Sequence, residues 1–327
     1  MITFPSSSLV QIGGGIACAL MLSGCGDEGS TSTAGGDRLS VVASFYPLQF
    51  AAERVGGDHV QVENLTKPGA EPHDLELAPA DVGRLAEADL VVFLHGFQPA
   101  VDDAVESEAG DAAYDVAPDA RLGLTAPADT HGKDGHEGEE EGDESEESHD
   151  EEAGTTDPHF WLDPTRLADV ADALAEQLAT LDEANAEDYR DNAAALRADL
   201  EALDAEMTAG LASCASTDLV TSHSAFGYLA DRYGFEQEGL SGLSPEDEPS
   251  PKDLAEVSEF VTEHDVATIY YETLVSPAIA DTVAQETGAR TAVLDPIEGL
   301  SDTSAGGDYL EVMRANLTSL QTGQSCT

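Results

Sequence analysis

The stretch Ala186–Leu211 decides the fold, and it reads AEDYRDNAAALRADLEALDAEMTAGL. It is rich in Ala, Leu, Glu and Arg, which are strong helix formers. At about 1.5 Å per residue, a helix of this length extends roughly 40 Å, which is the width of a lobe or more. We therefore expect residues 186–212 to form one long helix that links the folded parts on its two sides.

Strand and helix patterns alternate on the N-terminal side of this helix. Residues 39–45 read as a buried strand followed by a helix-like run, and residues 60–65 alternate as a strand does. Residues 79–88 have helical spacing, and residues 89–94 form another apolar strand pattern. Because such alternation is typical of parallel β/α construction, we expect residues 39–185 to form a first β/α lobe.

The same alternation returns on the C-terminal side. Strand patterns occupy residues 219–221, 267–271 and 290–294, and helical patterns occupy residues 226–233, 250–263, 277–286 and 308–322. Residues 213–327 are therefore expected to form a second β/α lobe. The predicted fold class is α/β, with two β/α sandwich lobes whose sheets are mostly parallel, joined by one long α-helix.

The N-terminus indicates an exported protein. Residues 9–22 are mostly apolar and run into Leu22-Ser23-Gly24-Cys25, a pattern typical of a bacterial lipoprotein signal. We expect a signal peptide over 1–24, a lipidated Cys25, and a flexible Gly/Ser/Thr/Ala tether over 25–38. No Lys or Arg precedes Cys25, so the usual basic segment is missing and the true start can lie upstream. An ordinary secretory signal with an incidental cysteine is the alternative.

The charge of the chain is extreme, with a formal net charge of −53 and only 13 basic residues. Nucleic acid is therefore a poor partner, because phosphate binding needs Lys and Arg. An acidic surface raises the local concentration of cations, although a saline habitat explains such a composition equally well. Twelve of the 22 residues over 131–152 are Asp or Glu, so we expect a disordered loop over about 123–156. Its histidines either gather zinc weakly or are incidental.

Three cysteines follow the predicted cleavage site: Cys25, Cys214 and Cys326. If Cys25 is lipidated, an even pair remains in an oxidising compartment. A Cys214–Cys326 disulfide is therefore expected, and two unpaired thiols are the alternative.

Three histidines lie in distinctive, loop-like settings. These are Glu71-Pro72-His73-Asp74, Asp157-Pro158-His159-Phe160 and Ser222-His223-Ser224. Each follows an apolar strand directly or closely, and ligands of open α/β sheets collect beyond the carboxyl ends of strands. Neutral imidazole suits zinc, and the spacing is too long for a zinc finger, so the fold must assemble any site. A structural role is the alternative for each histidine alone. His95 ends another strand and is a weaker candidate.

Five segments together resemble the metal-specific solute-binding lipoproteins of bacterial ABC importers, in particular the zinc branch. They are residues 68–74, 157–164, 222–228, 242–249 and 295–300, in the order that the family has them. The resemblance implies two lobes joined by a rigid helix, with the metal in the cleft between them. It implies ligands His73 and His159 from the first lobe, and His223 and a late carboxylate from the second.

The sequence leaves open which residue is the late carboxylate. Glu298 is the first choice because it occupies the acidic position of the Pro-Ile-Glu-Gly-Leu turn, and Asp295 or a water molecule is the alternative. Glu272 follows a strand and is expected to accept a hydrogen bond that orients an imidazole.

The resemblance also implies a function. We expect a monomeric, non-enzymatic, extracytoplasmic protein that is anchored to the cell membrane as a lipoprotein and captures Zn²⁺ as transported cargo. It would deliver the ion to the permease and ATPase subunits of an ABC importer. Manganese or iron delivery is the alternative within the same class, although manganese favours two carboxylates. A zinc hydrolase, an adhesin and an extracellular zinc buffer are alternatives of other classes.

Overall fold

The computed structural model describes residues 38–125 and 155–327. The predicted signal peptide, Cys25, nearly all of the tether and most of the acidic loop lie outside these residues. Within the described part of the chain, no helix combines the length and the apolar character that a membrane span needs.

The first lobe contains a four-stranded sheet in which every pair of neighbouring strands is parallel. Its strands β1 to β4 are Leu39–Ala43, Val60–Asn64, Leu90–Phe93 and Ala113–Asp115, in the order β2-β1-β3-β4. The second lobe repeats this arrangement with β5 to β8, Asp218–Thr221, Glu236–Gly239, Thr268–Tyr271 and Arg290–Val293, in the order β6-β5-β7-β8. The strand order reverses between β1 and β3 in the first sheet and between β5 and β7 in the second. Open α/β sheets usually bind their ligands at such a reversal.

Helices connect and cover these strands. Helices α1 to α10 are Tyr46–Gly56, Pro79–Glu87, Pro99–Ala104, Ala117–Ala120, Pro164–Leu181, Ala186–Leu211, Gly227–Tyr233, Pro251–Glu263, Ala278–Thr287 and Tyr309–Gly323. The long helix predicted from the sequence is α6, which packs against α1 and α5 of the first lobe and α10 of the second. The predicted two-lobe α/β architecture with a long helix between the lobes is confirmed.

The long helix belongs to the core of the molecule. Its buried residues recur every three or four positions and form one stripe: Tyr189, Ala193, Leu196, Leu200, Leu203, Met207 and Leu211. This stripe joins an apolar cluster that includes residues of both sheets, such as Val41 and Leu219. Because alternate strand residues point to opposite faces, Val42 and Val220 belong instead to two smaller clusters. The shared core therefore fixes both lobes to α6.

Cys214 and Cys326 are disulfide-bonded, as the count of cysteines predicted. The bond joins the segment after α6 to the segment after α10, across a sequence separation of 112 residues. The backbone N–H of Thr327 also donates to the carbonyl of Ser213 at 3.0 Å. The C-terminus is thereby attached to the start of its own lobe.

Two edge strands were not predicted from the sequence. Strand β4 has three residues, and β6 has the sequence Glu-Gln-Glu-Gly, which has no apolar alternation. Each pairs with a neighbour on one side only, so it needs fewer of the apolar residues that mark a central strand.

Candidate metal centre

His73 lies in the loop between β2 and α2, and a buried glutamine fixes the backbone just before it. The Gln98 side chain donates to the carbonyl of Pro72 and to the hydroxyl of Thr66, both at 3.1 Å. Gln98 is 1% exposed, so few competing solvent contacts loosen this clamp. The imidazole meets the Phe97 ring edge-on, with 4.6 Å between centroids.

His159 stands one residue before a single 3₁₀ turn, Phe160–Leu162, which leads into α5. Both the backbone N–H and the Nδ1 of His159 contact the Oδ1 of Asp157, at 2.9 and 2.8 Å. A carboxylate at Nδ1 makes that nitrogen the donor and leaves Nε2 as the lone-pair atom in the neutral ring. The Nε2 of His159 therefore faces the cleft, and it is the metal-binding atom once the ring is neutral.

His223 follows strand β5, and Glu272 follows the neighbouring strand β7. Glu272 Oε1 lies 2.6 Å from His223 Nδ1 and accepts from the Ser222 hydroxyl at 2.7 Å. Glu272 is thus the orienting acceptor that the sequence predicted. Gln237 donates to the His223 carbonyl at 3.2 Å and to the Thr221 hydroxyl at 2.9 Å. This second-lobe clamp has the same Thr–Gln composition as the clamp beside His73.

Glu298 is held by a tightly bonded turn after β8. Asp295 Oδ1 accepts from the backbone N–H of Ile297 at 2.8 Å, and Ile297 takes a left-handed φ of 58°. The indole of Trp161 donates to the Pro296 carbonyl at 2.7 Å, while Asn316 pairs with both backbone groups of Asp295. These contacts hold the unusual backbone at Ile297 and direct the next side chain into the cleft.

The four side chains converge. One candidate ligand atom from each of His73, His159, His223 and Glu298 lies within 4.8 Å of all the others. The Nε2 atoms of the three histidines stand 3.4, 3.2 and 3.3 Å from Glu298 Oε1. His159, His223 and Glu298 are fully buried. Three imidazoles and one carboxylate at such distances match the donor number and type of a tetrahedral zinc site.

Charges around the cluster are strongly coupled. Burial opposes the charge of Glu298, but hydrogen bonds from the three imidazoles outweigh it and hold its pKa well below the usual range. Burial also opposes the charge of His223, yet Glu272 and Glu298 raise its pKa to about 10. Burial and the charge of Glu298 raise the pKa of Glu71 to about 8. Protons on these groups thus balance the buried carboxylates, and a divalent cation can take over that role.

A cavity of about 250 Å³ leads from His73 to the surface. The first lobe contributes Gly96 and Phe97 to its lining, and the segment 242–247 of the second lobe lies opposite. The His73 side chain is 10% exposed, whereas those of His159 and His223 are 0% exposed. The cleft is therefore closed around two histidines and open beside the third.

The other carboxylate and histidine candidates are placed elsewhere. The Asp295 carboxylate bonds to Ile297 and to the Thr273 hydroxyl, and it is not part of the four-residue cluster. His95 is largely exposed, with Nδ1 3.4 Å from Asp102. Sequence reasoning missed the orienting role of Asp157, whose position two residues before His159 was the available signal. It also missed Gln98 and Gln237, which no sequence pattern marks.

Comparison with known proteins places this geometry in context. The family model described as "ZnuA: Zinc-uptake complex component A periplasmic" matches residues 41–323. The high-affinity zinc uptake system protein ZnuA of Bacillus subtilis (strain 168) is 35% identical over 309 residues, covering 93% of this chain and 94% of that protein. The zinc-binding lipoprotein AdcA of Streptococcus pneumoniae serotype 4 is 36% identical over 313 residues, and the match spans 58% of its length.

A solved structure resembles the present one over most of its length. The Zn(II)-bound ZnuA-like domain of Streptococcus pneumoniae AdcA has a TM-score of 0.69 and 31% sequence identity. The likeness covers 88% of this chain and 99% of that domain.

Proposed function

This chain belongs to the family of zinc-uptake complex component A proteins, and from that premise we propose that it captures Zn²⁺ outside the cytoplasmic membrane for import. Zinc is the cargo, and His73, His159, His223 and Glu298 are its ligands. The observation that carries the proposal is the convergence of these four donors within 4.8 Å. Names of relatives, a zinc uptake system protein and a zinc-binding lipoprotein, support the same ion.

The donor set favours zinc over manganese or iron. Imidazole nitrogen is a borderline donor that suits zinc, whereas manganese prefers more carboxylate oxygen. Here three of the four donors are imidazoles, and two of those are oriented by carboxylates. Because Glu298 supplies the fourth donor, the tetrahedron is complete without a water molecule. A hydrolytic zinc site instead keeps that position open, so we propose that the protein performs no chemistry on its cargo.

The partners and location follow from the same proposal. The captured ion passes to the permease and ATPase subunits of an ABC importer. Lipidated Cys25 attaches the chain to the membrane, and the tether over 25–38 separates the anchor from a lobe over 39–185. The linking helix over 186–212 and the lobe over 213–327 complete the organisation, and the protein acts as a monomer.

Metal analysis tests the ion. The protein purified without added metal should carry zinc, and competition titration against a chelator should show one tight site that His223→Ala removes. Bound manganese or iron, or tight zinc binding that survives His223→Ala, would contradict the assignment.

Growth of a deletion strain tests the role in import. The strain should need extra zinc, and the wild-type gene should relieve that need while the His223→Ala gene does not. Equal rescue by both genes would separate the role in import from this site, and a deletion strain that needs no extra zinc would contradict the role in import.

A further inference from the structure

Tyr228 connects the two lobes directly behind the candidate metal centre. It lies in α7 of the second lobe, five residues after His223, and is 1% exposed. Its hydroxyl accepts from the backbone N–H groups of Gly123 and Leu124, at 3.1 and 3.4 Å, and donates to the Asp157 carbonyl at 3.1 Å. One hydroxyl thus bonds two separate segments on the first-lobe side of the cleft.

Asp157 is the residue that these contacts hold in place. Its backbone N–H donates to the Leu124 carbonyl at 2.9 Å, beside the isolated antiparallel bridge between Thr125 and Thr156. A Cβ on Gly227 would clash with Asp157 Oδ2, so glycine at this position lets the carboxylate approach α7 closely. The Asp157 side chain is therefore packed against the second lobe, although its Oδ1 orients His159.

The Tyr228 ring is braced from the first-lobe side. The guanidinium of Arg166, in α5, lies over the ring at 4.6 Å from its centroid. Arg166 also donates to the carbonyls of Ala120 and Arg121. These contacts leave the hydroxyl little freedom to move away from Asp157.

We propose that Tyr228 is a positioning residue for zinc binding, which acts on His159 through Asp157 and ties the orientation of this first-lobe ligand to the helix that follows His223. This inference rests on the proposed function. The chain of contacts runs from the Tyr228 hydroxyl to the Asp157 backbone, and from the Asp157 carboxylate to His159 Nδ1. Since His159 and His223 must present their Nε2 atoms to one ion, a shared support fixes their relative placement.

The test compares Tyr228→Phe with Tyr233→Phe. Both variants remove one tyrosine hydroxyl from α7, but that of Tyr233 bonds Asp204 at 3.1 Å and touches none of the cluster residues. Loss of a partner that orients a metal ligand costs about 10–100-fold in affinity, so we expect Tyr228→Phe to weaken zinc binding about tenfold. Tyr233→Phe should change it less than about twofold, since it leaves the cluster untouched.

Two further readouts separate positioning from general destabilisation. In an Asp157→Ala background, Tyr228→Phe should have almost no additional effect on zinc affinity, because the side chain through which it acts on His159 is absent. The visible ligand-field spectrum of Co²⁺ bound in place of zinc should change in Tyr228→Phe and not in Tyr233→Phe. If Tyr228→Phe does not fold, Gly227→Ala tests the same support by displacing the Asp157 carboxylate and should also weaken zinc binding.

The outcomes are distinct for this inference and for the proposed function. Equal zinc affinities and Co²⁺ spectra for the two tyrosine variants would overturn the positioning role, as would a full tenfold loss that persists in the Asp157→Ala background. If the wild-type protein itself binds no zinc tightly, the proposed function fails before the tyrosine variants are compared.

Discussion

The closed and open sides of the candidate metal centre are built differently. On the closed side, His159 and His223 are fully buried, and the carboxylates of Asp157 and Glu272 contact their Nδ1 atoms. On the open side, His73 borders the cavity to the surface, and no described carboxylate contacts its Nδ1. The backbone before His73 is held instead by Gln98, whose side chain donates to the carbonyl of Pro72.

This difference suggests how a preorganised site can still admit an ion. Orienting carboxylates fix the two buried imidazoles before the ion arrives, which reduces the entropy lost on binding. A ligand beside the opening needs freedom to let the ion pass and then to complete the tetrahedron. We therefore expect substitutions on the closed side to weaken zinc binding more than equivalent substitutions at His73.

The largest expected effect comes from removing a buried ligand. His159→Ala or His223→Ala should weaken zinc binding by more than the roughly 100-fold upper range for loss of an orienting partner. His73→Ala should weaken it less, because water can enter from the cavity and occupy the vacant coordination position. Competition titration with a chelator measures all three variants. A His73→Ala variant that is weaker than both others would reverse the comparison.

Substitution of an orienting carboxylate should have an intermediate effect. Glu272→Gln keeps the size of the side chain but removes the charge that fixes the His223 ring, so we expect a loss of about 10–100-fold. Glu76→Gln, a change of the same kind in the exposed segment after His73, is the matched control and should leave affinity unchanged. Equal losses in the two variants would indicate a general effect of charge on zinc attraction.

A change of one pH unit should alter zinc affinity less than the substitutions above. Zinc needs neutral imidazole, and the pKa of His223 is raised to about 10 because Glu272 and Glu298 outweigh its burial. Zinc must therefore displace a proton at neutral pH, so affinity should rise about tenfold per pH unit for each proton released. Titration calorimetry at pH 7 in buffers of different ionisation enthalpy counts these protons. Constant affinity from about pH 6 to 8 would contradict a protonated cluster.

The stability of the metal-free protein should fall as the pH rises, whereas its zinc affinity should rise. A raised pKa means that protonated His223 stabilises the fold. This contribution is full below the ordinary value of 6.5 and is lost as the pH rises through about 10. Thermal melting across this range, with and without zinc, therefore distinguishes stabilisation by protons from stabilisation by the metal.

The smallest expected effect comes from deleting residues 131–152. This segment supplies none of the four clustered donors, so the tight site should keep its affinity and only weaker additional zinc should be lost. Measurement of stoichiometry and affinity in the deletion variant checks both expectations. Loss of tight zinc binding in this variant would indicate that the acidic segment, and not the cleft, holds the tight site.

Much of the fold could be predicted because local and global signals agree. The apolar stripe of α6 and the apolar central strands can be recognised in the sequence, because burial of one face makes apolar residues recur with the period of a helix or a strand. Strand β6 could not be found this way, because its Glu-Gln-Glu-Gly sequence lacks that period and its pairing with β5 depends on tertiary structure.

The candidate site was predictable in part for similar reasons. His223 follows strand β5 and His73 lies in the loop after β2, and the topology brings such loops together. The expectation that His159 also follows a strand was wrong, because His159 precedes a 3₁₀ turn that leads into α5. The choice between Asp295 and Glu298 was open because both acids lie in one turn. The structure separates them through contacts with Asn316 and Trp161, which are distant in sequence. The orienting role of Asp157 likewise depends on how the His159 ring is turned.

X-ray absorption at the zinc edge tests the central claim most directly. The measurement would use protein that lacks residues 131–152 and carries one equivalent of zinc, so that a single site contributes to the spectrum. We predict four-coordinate zinc with three imidazole nitrogens and one carboxylate oxygen, and a spectrum of Glu298→Gln that shows the oxygen contribution altered while three imidazoles remain. A six-coordinate site, a site with fewer than three imidazoles, or an unchanged spectrum in Glu298→Gln would contradict the account.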